Sequence, residues 1–136
     1  MTGPTALALL GFLAWTLLLL LLMEVLRGRA VLVGEVTSDR ITPDNAGLSP
    51  FMQRLARVHA NCIEGLPLFG GLMLLALATG QSALTDPLAY WLLGARLLQS
   101  TAHLVSLQVT VIHLRFAAFM VQVGIGLWWC WLLLQA

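Results

Sequence analysis

Long apolar runs separated by short polar stretches dominate the chain. Residues 6–26 are almost uninterrupted in apolar character, and about 20 such residues suffice for one helical crossing of a bilayer. Three further stretches, roughly 51–79, 86–107 and 113–134, have the same character. The pattern therefore predicts an all-α integral membrane four-helix bundle, a single transmembrane domain over 1–136, because a spanning segment must satisfy its backbone internally. The first run has no basic segment ahead of it and is longer than a signal-peptide core, so it reads as a retained span.

The interruptions carry the punctuation expected of helix ends. Residues 35–50, EVTSDRITPDNAGLSP, form the only substantial aqueous segment. Ser49-Pro50 is a cap residue followed by a proline suited to a first helical turn, and it predicts where the second helix starts. The turn 80–85 ends that helix, and Asp86-Pro87 opens the third. Tyr90 and Trp91, with Trp128, Trp129 and Trp131, fall at one membrane face, which suits an interfacial aromatic belt, although packing between helices explains any one of them equally well.

Composition changes the picture in one respect: 60% of residues are hydrophobic and 10% charged, against about a quarter charged in soluble domains. Lipid is the expected solvent, and no length remains for a separate catalytic domain. Net charge is +1, and all seven cations are arginines, which gives no reason to expect nucleic acid. Cys62 and Cys130 lack the paired spacing of a metal or redox motif and read as free thiols, and no His and acid spacing makes a metal site. Arg27, Arg29, Arg40, Arg54 and Arg57 lie in or beside the first loop, and Arg115 beside the third. The positive-inside rule puts those loops in the cytoplasm and both termini outside.

Ionisable groups within spans are costly and mark functional candidates. On the second helix Arg54, Arg57, Asn61 and Glu64 follow steps of three, four and three, which places them on one face. On the third, Arg96, Gln99 or Ser100, and His103 repeat the device. Counted from the cytoplasmic ends, Glu64 lies roughly 20 Å deep and Arg96 roughly 17 Å, which predicts a buried Arg96–Glu64 ion pair. One reading is that such a set only fixes helix register, since buried pairs often do no more. Arg54 and Arg57 have too few acids nearby, however, and with Asn61 they look like a cradle for a small anionic ligand. His59 points to another face and can snorkel to the interface.

Residues 54–69, RLARVHANCIEGLPLF, resemble the signature of the membrane-associated proteins in eicosanoid and glutathione metabolism, the MAPEG family. Its R-x-x-x-N-x-x-E-x-x-P core is met by Arg57, Asn61, Glu64 and Pro67. Arg96 on the third helix and Arg115 in HLRFAAF follow in the same order, and the short loops resemble bacterial members, which implies a bacterial inner membrane. The resemblance implies a homotrimer that binds glutathione as co-substrate near the cytoplasmic side, between subunits. Carried over, ligand contacts fall on Arg57, Asn61 and Glu64, with Arg54, Gln99 and His103 beside them, and Arg27 or Arg29 reaching a carboxylate. Arg115 would stabilise the thiolate.

The implied activity is conjugation of glutathione to lipophilic electrophiles, reduction of lipid hydroperoxides, or both. Relatives with strong transferase activity carry tyrosines where this chain has Gln99, His103 and Gly65, and its single tyrosine, Tyr90, lies at the other end of the membrane. A non-catalytic glutathione-binding or scaffold protein is the alternative. A transporter is third, since four helices without visible internal repeats give little basis for alternating access.

Overall fold

Each long apolar run becomes one helix in the computed structural model, which describes residues 3–136. They are α1 (Pro4–Leu32), α2 (Pro50–Ala78), α3 (Ser82–Val105) and α4 (Val109–Gln135). A single 3-10 turn, Ser38–Arg40, interrupts the first loop. Helices α1, α2 and α4 are long and apolar enough to cross a membrane. Helix α3 packs against all three others, most extensively α4, and its lower apolarity reflects the polar residues that it turns inward.

One stripe per helix builds the core. On α1 the buried residues are Thr5, Ala8, Phe12, Thr16, Leu19, Met23 and Ala30, spaced by the three- and four-residue steps of one helical face. The remaining faces of α1 expose Leu10, Leu17, Leu18 and Leu21, a surface suited to acyl chains. Phe12, Leu55, Met73, Leu92 and Trp129 are fully enclosed at the centre.

The helix ends refine the sequence reading. Ser49 caps α2 as expected, its Oγ accepting from the Met52 amide at 3.3 Å, with Pro50 in the first turn. Gly80, at φ +71°, closes the same helix, where the Gln81 amide donates to the Ala76 carbonyl at 2.7 Å. Helix α1 runs past residue 26 to Leu32, because Arg27 is a good helix former and bonds Glu24 one turn back at 2.8 Å. Helix α3 begins at Ser82 and not at 86, so Pro87 lies inside it. Asp86 caps a different helix: its carboxylate accepts from the Thr5 amide at 3.0 Å and from the Thr5 hydroxyl at 2.6 Å. A carboxylate there favours the α1 N-terminus, where amides lack partners.

Within α2, Leu66–Gly70 is a π-helical turn. Pro67 has no N–H to return to the turn before it, and the wider turn absorbs that defect. Phe69 and Gly70 are buried as a result.

Candidate functional site

The polar face of α2 survives as expected. Arg54 and Asn61 are half-buried, while Arg57 and Glu64 are exposed on the lone chain. Arg54 crosses to α3, its Nε donating to the Leu104 carbonyl at 3.0 Å, and lies 5.9 Å over the Phe51 ring. His103, half-buried on α3, stands within Coulombic reach of Arg54, Arg57 and Arg115. None of the three cations has a carboxylate within 4 Å among the described residues, where the ion pair is Arg27–Glu24. Sequence separates these arginines onto two helices; the fold brings them around one histidine.

Deeper in the bundle, Arg96 is 1% exposed. Its guanidinium carbon lies 5.2 Å from the Phe12 ring centroid and 5.9 Å from that of Phe69, a placement that ring quadrupoles favour. Nη1 donates to Asn61 Oδ1 at 2.5 Å, and Nε and Nη2 have no hydrogen-bond partner among the described residues. The expected Arg96–Glu64 pair is not formed within this chain. Helix α3 ends at Val105, which brings Arg96 to roughly 14 Å from that end, level with Asn61 at roughly 15 Å from Phe51. Gly65 completes the arrangement, since a Cβ there would meet Arg96 Nη2 at 2.6 Å. Arg96 and Glu64 still line one cavity of about 140 Å³, with Asn61, Gly65, Phe69 and Phe119. Glu64 also borders a second cavity of about 580 Å³ between α1 and α2, with His59 and Arg27.

Asn61 accepts a further bond from Gln99 Nε2 at 3.4 Å, and Gln99 Oε1 accepts from Gln122 Nε2 at 2.8 Å. Gln122, fully buried on α4, was not singled out from the sequence. The signal was there: it is the one polar side chain in AAFMVQVGIG, residues 117–126, and lone amides at membrane depth are costly unless bonded. Ser100 lies behind this row, 3.5 Å from the Cys62 sulfur.

Two further candidates stand differently from expectation. Helix α4 starts at Val109, not 113, so Arg115 is in the second turn and the unpaired N-terminal amides lie behind it. It is half-buried with an unpartnered Nε, and what it offers is charge. Arg27 is committed to the first loop: Nε donates to Asn45 Oδ1 at 2.8 Å, Nη1 to Glu24, and Nη2 to the Thr42 and Pro43 carbonyls. Arg29 remains exposed.

An apolar groove of about 430 Å³ adjoins the Arg96 cavity. It runs between the π turn and α4, lined by Leu72, Val123, Gly126 and Cys130, and shares Phe69 and Phe119 with that cavity. A charged recess and an oily one thus meet across two aromatic rings.

The family model for the MAPEG family matches residues 5–135. No curated protein and no solved structure matches the chain.

Proposed function

The chain belongs to the MAPEG family, and on that premise we propose that it is a glutathione-dependent membrane enzyme acting on lipophilic substrates. The observation that carries this reading is that Arg54, Arg57 and Arg115 all stand within Coulombic reach of His103, with no carboxylate within 4 Å of any of the three among the described residues. Glutathione is a tripeptide with two carboxylates, one ammonium and a thiol, and it matches the arrangement group by group. Arginines receive the carboxylates in the bidentate geometry that their planar forks allow. Asn61 takes a peptide oxygen, Glu64 takes the ammonium, and Gln99 and His103 complete the lining.

Arg115 holds the sulfur as thiolate. A neighbouring cation favours the ionised thiol, which is the nucleophile. The thiolate attacks an electrophilic carbon, forming the C–S bond as the leaving group departs with its electron pair. With a hydroperoxide it attacks the terminal oxygen, breaking the O–O bond to give the sulfenic acid and an alkoxide, which takes a proton from water and leaves as the alcohol. A second glutathione then displaces hydroxide from the sulfenic acid to give the disulfide. Lipid-borne substrates approach along the apolar groove beside Phe69 and Phe119. The working unit is a homotrimer with both termini outside and the first and third loops cytoplasmic, in a bacterial inner membrane.

Calorimetric titration of the purified protein with glutathione, followed by turnover of an aryl halide and a lipid hydroperoxide, tests the reading. Saturable binding with turnover is expected, and absence of binding overturns it. Saturable binding without turnover favours a glutathione-binding scaffold, a second reading that rests on Tyr90, the lone tyrosine, standing on the first half of α3.

A further inference from the structure

The amide row across the bundle has a direction that its two ends impose. Arginine can only donate, so Arg96 Nη1 requires the oxygen of the Asn61 carboxamide, not its nitrogen. With that oxygen facing inward, Gln99 must also offer its nitrogen, which turns its own oxygen toward α4. Gln122 then has to present its nitrogen to Gln99 Oε1. The far end agrees independently, because Gln122 Nε2 also donates to the Ala118 carbonyl at 3.1 Å, and a carbonyl only accepts. Amide orientation is ordinarily ambiguous; here a cation at one end and a backbone carbonyl at the other leave one arrangement. The cost is visible at Gln122, whose Oε1 is buried without a partner among the described residues.

The consequence falls on Asn61. Its oxygen is used twice from within, and its NH2 makes no hydrogen bond among the described residues. That side chain is half-buried and lines the cavity shared by Glu64 and Arg96. We propose that Arg96 and Gln122 are positioning residues that lock the Asn61 carboxamide with its NH2 toward the ligand, so that the ligand group received there is an acceptor oxygen. The inference rests on the glutathione reading for the ligand's identity, but the lock belongs to this chain alone. A site with a fixed donor rejects a ligand that offers a donor at the same point, because two donors leave each other unpaired.

The test uses the whole protein in detergent. Asparagine occurs only at positions 45 and 61, so selective 15N-asparagine labelling gives two side-chain NH2 pairs by NMR. Gln122→Met is expected to move the Asn61 pair and leave the Asn45 pair in place, with or without glutathione. An unmoved Asn61 pair overturns the lock whatever the ligand. Where the wild-type protein binds glutathione, Gln122→Met is expected to weaken it about three- to tenfold, and to cost nothing further in an Asn61→Ala background. Equal losses in both backgrounds mean that Gln122 acts through general packing, and overturn the proposal. Asn61→Asp keeps the oxygen that Arg96 needs and removes the donor, so it is expected to fold at least as stably and to lose affinity. Unchanged affinity in that variant overturns the acceptor assignment. A wild-type protein that fails to bind glutathione but shows the Gln122→Met shift refutes the ligand and retains the lock.

Discussion

At the scale of single residues, Gly65 and Arg115 make opposite demands. Gly65 supplies room: Arg96 Nη2 occupies the place where a side chain would begin. Gly65→Ala displaces Arg96 Nη2, and the expected loss is at most that of a hydrogen bond to a charged group, about 1.5–3 kcal/mol. That loss is expected in unfolding of the purified protein, and it should vanish when Arg96 is already replaced by Ala. Arg115 supplies charge from the second turn of α4, beyond the unpaired N-terminal amides. Arg115→Ala is expected to leave glutathione affinity within about threefold and to return the bound thiol toward its ordinary pKa, near 8.5. Thiolate absorbance against pH reads that change. Arg115→Lys should recover part of it, since charge survives and the planar fork does not. An unaltered thiol titration in Arg115→Ala removes Arg115 from the chemistry. Spacing alone placed Arg54, Arg57, Asn61 and Glu64 on one face. What spacing could not supply was the partner of Arg96, because one helical turn separates Asn61 from Glu64 and the true end of α3 decides between them.

At the scale of elements, the four helices were legible from their apolar runs, and three of them, α1, α2 and α4, have the length and continuity that lipid imposes. Their ends were less so. The Asp86-Pro87 pair carries start signals, yet Asp86 serves the N-terminus of α1, a tertiary role that local pattern cannot reveal. Pro67 was visible as a motif residue, but its effect on backbone geometry was not. The π turn aims Phe69 at both Arg96 and Gly126, whose added Cβ would lie 3.2 Å from the Phe69 ring. Pro67→Ala restores the missing N–H and allows a regular α turn, which rotates Phe69 off the guanidinium. Replacement of an interior proline ordinarily stabilises a helix; here a net loss of about 1–2 kcal/mol is expected from the cation–π contact and its packing. Chemical denaturation in detergent measures it. The first loop obeys a similar tertiary logic through Arg27 and Asn45, with Asp44 closing its tip. The Thr42 hydroxyl and the Ala46 amide hold the Asp44 carboxyl below the usual carboxylate range. A depressed folded pKa means that this contribution is present above the unfolded value, about 3.9, and is lost as pH falls through the folded value. The protection of the Ala46 amide against hydrogen exchange, taken relative to its intrinsic rate at each pH, is expected to fall in acid, and protection indifferent to Asp44→Asn would refute the link.

At the scale of the whole molecule, the lone chain is incomplete in a specific way. Glu64 is exposed on the outside of the bundle, roughly 20 Å along α2 from its N-terminal end, and a carboxylate facing acyl chains there costs several kcal/mol. Arg57 shares its face, one to two turns nearer the aqueous side. The exposed leucines of α1 are at home in lipid, but these two are not, so another surface has to cover them. A second copy can bring the first loop and the cavity beside His59 and Arg27 against the α2 face of its neighbour. Closed symmetry then repeats that contact around a ring, and the proposed assembly has three copies. If glutathione sits across the contact, it binds the assembly and not the separated subunits. Mass action then adds about 2.7 kcal/mol per site at a hundredfold excess over Kd, to be read as resistance of the trimer to dissociation. Native mass spectrometry over a detergent series, with and without glutathione, is expected to show a trimer that persists further when glutathione is present. Glu64→Gln should remove the glutathione effect while retaining the trimer, because the amide lowers the cost of burial and no longer attracts an ammonium. A monomer that binds glutathione as tightly as the assembly would place the whole site within one chain.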